Sequence, residues 1–165
     1  MSTKESSVYT ELAELCARDE AFLLDQALKA YPSALNVLDI NERTLAHKAA
    51  ENGSWGCLDV LKKHGIDLDQ ADVSGETALH RAVSRGHKTA TEVLLKLGAN
   101  PNCRNSQGGT PTLYAAERGK DMLEILVKFG GDVNAKDNQG YGVDVWAERG
   151  ERLLAQALQA SRLKP

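Results

Sequence analysis

The 165-residue chain has no excess of charge of either sign: 20 Lys and Arg stand against 23 Asp and Glu, and the isoelectric point is about 5.8. A nucleic-acid-binding protein would normally show a basic stripe, so that class of partner is set aside. Long apolar runs are missing as well. None approaches the roughly 20 residues of a membrane-spanning helix, and the opening MSTKESS lacks the apolar core of a secretory signal. Cysteine is scarce: Cys16, Cys57 and Cys103 are odd in number and far apart, unlike the framework of a small secreted domain. These absences point to a cytoplasmic protein with neither a nucleic-acid nor a membrane partner.

Signatures of catalysis and metal binding are missing too. There is no Cys-x-x-Cys or His-x-x-x-His pair to hold zinc, and no Gly-x-Ser-x-Gly to present a nucleophile. Gly119-Lys120 lacks the upstream glycine of a phosphate loop, and Gly140-Tyr141-Gly142 is too short for a dinucleotide fingerprint. Carboxylates are plentiful, but no two are spaced so that they must meet at reacting distance. His64 precedes Gly65 at an expected helix end, where an imidazolium would complement the dipole. No catalytic, cofactor-binding or metal-binding residue is expected.

What the chain does have is a repeat. Asp72 to Arg104 carries a turn pair, Ser74-Gly75, and then an apolar run of Ala78, Leu79, Ala82 and Val83. Gly86 interrupts, and Val93, Leu94, Leu95 and Leu97 lead to Gly98. This pattern predicts a tight turn, two short antiparallel helices and a loop. Neither helix can bury its apolar stripe alone, so the unit needs copies of itself on either side. Asp39 lies 33 residues before Asp72, and Asn105 lies 33 after it. Thr44, Thr77 and Thr110 share one position of the repeat, as do His47 and His80, Gly65 and Gly98, and Gly53, Gly86 and Gly119.

The period and the Thr-x-Leu-His-x-Ala core resemble the ankyrin-repeat family over residues 8–160. The resemblance implies an all-α fold, an α-solenoid of helix-turn-helix units joined by β-turn loops, with three clear repeats between two divergent caps. It also implies that His47 and His80 bond backbone across neighbouring repeats. His87 follows the template glycine as family members often have it.

Residues 1–7 are polar and read as a flexible tail, and residues 8–161 as one domain. Within it, 8–38 is an N-terminal cap with helices at 8–18 and 21–31; then come repeats 39–71, 72–104 and 105–136, and a C-terminal cap at 137–161. Glu42 and Leu45 stand where glycine and proline are usual, which predicts an altered first turn. The third repeat fits if one residue is deleted between Gly119 and Met122, and it has Thr112-Leu113 in place of Leu-His. The last copy loses Thr and His to Gly142 and Val145, and its second helix is expected at Glu151 to Gln159.

By resemblance, partner contacts come from the second, third, fifth, thirteenth and fourteenth residues of each repeat. In the first these are Ile40, Asn41, Arg43, Glu51 and Asn52; in the second, Val73, Ser74, Glu76, Ser84 and Arg85. The third contributes Ser106, Gln107, Gly109, Glu117 and Arg118, and the cap adds Asn138, Gln139, Tyr141 and Arg149. Ile40, Val73 and Tyr141 would place apolar groups at exposed tips, with Arg85, Arg118 and Arg149 as a row beside them. The alternative is that these arginines merely pair with Glu51, Glu76 and Glu117. Trp146, where leucine is usual, is expected to pack on the third repeat; Trp55, on the opposite edge from the tips, is expected to plug the turn between two helices, with a second contact point as the alternative. The implied function is a monomeric protein-interaction module, an adaptor or inhibitor of an unidentified protein. A bacterial effector delivered to host cells is the alternative. A small-ligand-binding or enzymatic array is a further one, which a deep polar pocket with strongly perturbed titrating groups would reveal.

Overall fold

The computed structural model describes residues 3–162, with side chains from Ser7 to Arg152. Among them every regular element is a helix. α1 (Thr3–Ala17) and α2 (Ala21–Ala30) form a first hairpin, closed by a 3-10 turn at Pro32–Asn36. Three further hairpins follow: α3 (Leu45–Asn52) with α4 (Trp55–Lys63), α5 (Ala78–Arg85) with α6 (Lys88–Lys96), and α7 (Pro111–Arg118) with α8 (Lys120–Lys128). The chain ends in a single helix, α9 (Val143–Arg162). Odd-numbered helices touch in series from α1 to α9, and even-numbered ones from α2 to α8. The result is a two-layer solenoid.

Each hairpin is built from a few special residues. Thr110 caps α7 by accepting the Leu113 N–H, and Pro111 behind it sits where no hydrogen bond is lost. Gly53 and Gly86 end α3 and α5 in the left-handed conformation, φ 74° and 78°. Between the layers lie fully buried leucines such as Leu28, Leu45, Leu61, Leu79, Leu94 and Leu126. Each contributes roughly 2 kcal/mol by leaving water. His47 and His80 stitch the layers lengthwise. Nδ1 of each accepts the N–H of its own capping threonine at 3.1 Å, so Nε2 carries the proton. That proton is donated to the next repeat, from His47 to the Glu76 carbonyl (2.9 Å) and from His80 to the Gly109 carbonyl (3.2 Å). The third repeat has Leu113 in this place, and there the stitch stops.

Several expectations are corrected. Helix α1 already begins at Thr3, so most of the supposed tail is helical. No Gly or Pro opposes its extension, and each added residue gains a backbone bond once the helix is nucleated. Glu42 does not alter the first turn: it adopts φ 59°, the same left-handed conformation as Gly75 and Gly108 at 76°. The deletion in the third repeat removes the residue after the turn glycine, so Gly119 alone separates α7 from α8. With φ 108° and ψ 174° it occupies a region open essentially to glycine only.

The largest correction concerns the C-terminal cap. No second helix starts at Glu151; α9 runs straight through. Gly150 resembles a turn glycine in sequence but falls one position before the place of Gly53 and Gly86, and it is not among the glycines with positive φ. Its role is steric instead. A Cβ there would collide with the Glu117 carbonyl, so glycine lets α9 approach α7 closely.

Candidate functional site

Four turn tips line one edge of the solenoid, opened by Asp39, Asp72, Asn105 and Asp137, and all are wired alike. The Oδ1 of each opening residue accepts the N–H groups two and four residues on, at 2.8–3.0 Å. Its own N–H bonds the carbonyl four residues on, at 2.9–3.1 Å. Successive tips are joined as well: Val73 N–H donates to Asn41, Ser106 N–H to Ser74, and Asn138 N–H to Gln107, at 3.0–3.1 Å. The first-layer helices brace this edge from behind. Arg81 donates to Asp72 Oδ2 (2.6 Å), Asn105 Nδ2 to the Tyr114 hydroxyl (3.0 Å), and Trp146 Nε1 to Asp137 Oδ2 (3.1 Å). In the first repeat Arg43 does this work, with Nε at 2.7 Å from Asp39 Oδ2. Such a surface needs no ordering before it binds.

The residues named from the sequence are brought onto this edge and the helix faces beside it. Ile40 is 89% exposed, Val73 59% and Tyr141 47%, all on locked tips. Asn41, Ser74 and Gln107 supply the carbonyls that join the tips, and Ser106 Oγ adds a second bond to Ser74 at 2.7 Å. The charged residues are less free than a row of arginines would be. Arg85 pairs with Glu51 (2.5 Å), which also lies 3.6 Å from Arg43. Glu76 is held by Arg81 Nε (3.1 Å) and by the Tyr114 hydroxyl (2.7 Å). Arg149 covers the Trp146 ring at 5.7 Å and reaches Glu117 at 3.8 Å. It sits one position earlier in its repeat than Arg85 and Arg118, so it does not continue their row in register. Arg118 is exposed, and among the described residues no carboxylate lies within ion-pair distance of it.

Of the side chains that brace the tips from behind, Arg81 and Tyr114 were not singled out in the sequence, whereas Trp146 was. Arg81, Tyr114 and Trp146 share one position of the repeat, four after the capping residue, so Trp146 is not a leucine substitute. It does pack on the third repeat, with its ring 5.1 Å from that of Tyr114. Trp55 is no plug. It opens α4 with 53% exposure, and the Cys57 N–H two residues on donates to Asp19 at 2.9 Å. His64 gains a partner beyond the helix dipole, Asp25 Oδ1 on α2 at 2.8 Å.

Electrostatics follow from this wiring. Burial alone would raise the Asp72 carboxyl, but Arg81 and the Glu76 and Ser74 N–H groups outweigh it and hold it below the usual carboxylate range. For Glu51 burial is likewise outweighed, chiefly by Arg85. Burial depresses both His47 and His80, keeping them neutral as their bonding requires. Burial, and then the bond to Glu76, raises the Tyr114 hydroxyl above the ordinary tyrosine value. Each of these shifted groups is engaged in holding the fold. Beside the strip lies a cleft of about 580 Å³, lined by Arg118, Lys120, Leu123, Ala147, Gly150 and their neighbours. Among the described residues no three His, Cys, Asp or Glu side chains gather as a metal site, and no helix is long and apolar enough to cross a membrane.

Comparison with known families gives two matches. A family model described as ankyrin repeats (3 copies) matches residues 14–105, and a single-repeat model, ankyrin repeat, matches residues 107–138. No curated protein matches the chain.

Proposed function

The chain belongs to the ankyrin-repeat family, whose members are in general protein–protein interaction modules, and from that premise we propose that it holds a protein partner on the strip formed by its tips and first-layer helices. It acts there as an adaptor or inhibitor and brings no catalysis of its own. One observation carries the reading: Ile40 and Val73 stand exposed on adjacent tips whose backbones are hydrogen-bonded to each other. A soluble surface gains nothing from two such side chains in locked turns. A partner covering them gains about 1.5–3 kcal/mol for each, with little ordering cost on this side.

The test is the double variant Ile40→Lys with Val73→Lys. Both side chains point to solvent and the backbone bonds are untouched, so the melting temperature stays at the wild-type value. Affinity capture from lysate of the source cell, quantified for wild type and variant, is expected to lose the wild-type-bound proteins. Equal recovery of the same proteins on both would refute the strip as the binding surface.

A further inference from the structure

The first-layer helices carry a periodic charge pattern with one break in it, and we infer that an acidic segment of the protein partner docks at that break. This rests on the strip being the binding face and specifies the chemistry that occupies it. Along the solenoid, the thirteenth residue of one repeat faces the fourteenth of the next. Glu51 faces Arg85, with Oε1 and the guanidinium 2.5 Å apart. Glu117 faces Gly150, whose absent Cβ would strike the Glu117 carbonyl, and Arg149 beside that glycine supplies the cation at 3.8 Å. Between these two lies the pair Ser84 and Arg118. Ser84 occupies the glutamate position but turns its hydroxyl back to the Arg81 carbonyl at 3.1 Å.

Arg118 is therefore left over. Arg43, Arg81, Arg85 and Arg149 each have a carboxylate of this chain, whereas Arg118 has none among the described residues. Glu76 is already taken by Arg81 and Tyr114 and Glu117 by Arg149, and Glu151, which lines the same cleft, is not within ion-pair distance of Arg118. A carboxylate brought from outside would fill the position that Glu51 fills one repeat earlier, where the geometry suits a carboxylate. The cleft of about 580 Å³ adjoins Arg118 on its other side. Leu123, Ala147 and Gly150 give it an apolar floor, and Glu117, Glu151 and Lys120, the last 3.6 Å from Glu124, complete its rim. The segment that fits carries an aspartate or glutamate close in sequence to a large apolar side chain: the acid lies against Arg118 and the apolar group in the cleft.

The probe is a random twelve-residue peptide library displayed on phage and selected on the intact chain. Peptides enriched on wild type are expected to pair an acidic with an apolar residue. Affinity of the best peptide is then measured against Ser84→Glu and Arg118→Gln. Ser84→Glu supplies the missing acid internally, so it folds with a melting temperature at or above wild type yet binds about tenfold more weakly. Arg118→Gln costs a similar factor, as does replacing the peptide's acid by its amide, and the two changes together cost no more than one. Wild-type affinity for Ser84→Glu, enrichment without an acidic residue, or no enrichment overturns the inference. Peptides indifferent to Ser84 and Arg118 but lost with Ile40→Lys and Val73→Lys overturn this site and leave the strip standing. Indifference to all four changes overturns both.

Discussion

Replacing His80 by Ala puts the repeat-to-repeat stitch to a quantitative test. The imidazole is fully buried, accepts the Thr77 N–H and donates to the Gly109 carbonyl of the next repeat. Alanine removes both bonds, each contributing about 1 kcal/mol net. It also strands a buried N–H and a buried carbonyl, which raises the cost by about 1 kcal/mol or more for each. Tyr114, edge-on to the ring at 5.5 Å, loses a packing partner too. The total is about 4 kcal/mol or more, a large share of the roughly 5–15 kcal/mol that holds a domain of this kind together. Urea unfolding followed by circular dichroism measures it, with wild type and variant extrapolated to water. In a one-dimensional array a lost interface can also split the transition, which would appear as a second step. A His80→Ala variant within about 1 kcal/mol of wild type and still unfolding in one step would refute the stitch.

Three further outcomes follow from the same wiring. Burial lowers both His47 and His80, so below their ordinary value of 6.5 the unfolded chain takes up protons the folded one refuses. Stability is complete above that pH and is lost as pH falls through the folded values; His80→Ala flattens this dependence in a urea series across pH 7 to 5. Asp72→Ala removes two accepted N–H bonds and the Arg81 pair and is expected to cost about 2–3 kcal/mol. Asp72→Asn costs less in the same assay, since Asn105 serves its own tip with an amide; equal losses would show that the turn acceptor is unimportant. Glu42→Gly relieves a non-glycine residue at φ 59° and raises stability by up to about 1 kcal/mol, readable as an upward shift in the urea midpoint.

Much of this architecture was legible because a solenoid repeats its local chemistry. Thr77, His80 and Gly86 each recur at fixed spacing, and each has one structural task that its residue type announces. The exceptions were hidden where one residue type serves two purposes. Gly150 reads as a turn glycine, yet its lack of a Cβ serves close helix packing, and only the position of Glu117 reveals that. Glu42 carries no sign that its turn, closed by its own N–H to the Asp39 carbonyl, holds it in the left-handed conformation. A large indole suggests burial, yet Trp55 stands more than half exposed at the start of α4. The pairing of Arg85 with Glu51 crosses 34 residues, and pairing of the row arginines with nearby glutamates was one of the two sequence readings; aligning the thirteenth and fourteenth positions of successive repeats singles out this pair. That alignment also exposes Ser84 as the break in the pattern.

Hydrogen–deuterium exchange on the captured complex, compared with the free chain, tests the central claim most directly. Binding on the strip predicts slowed exchange at the tips around residues 40–42, 73–75 and 106–108 and at the ends of α5 and α7, with the second-layer helices α2, α4 and α6 unchanged. Protection confined to α2 and α4, around the exposed Phe22 and Trp55, with the tips exchanging as in the free chain, would contradict it.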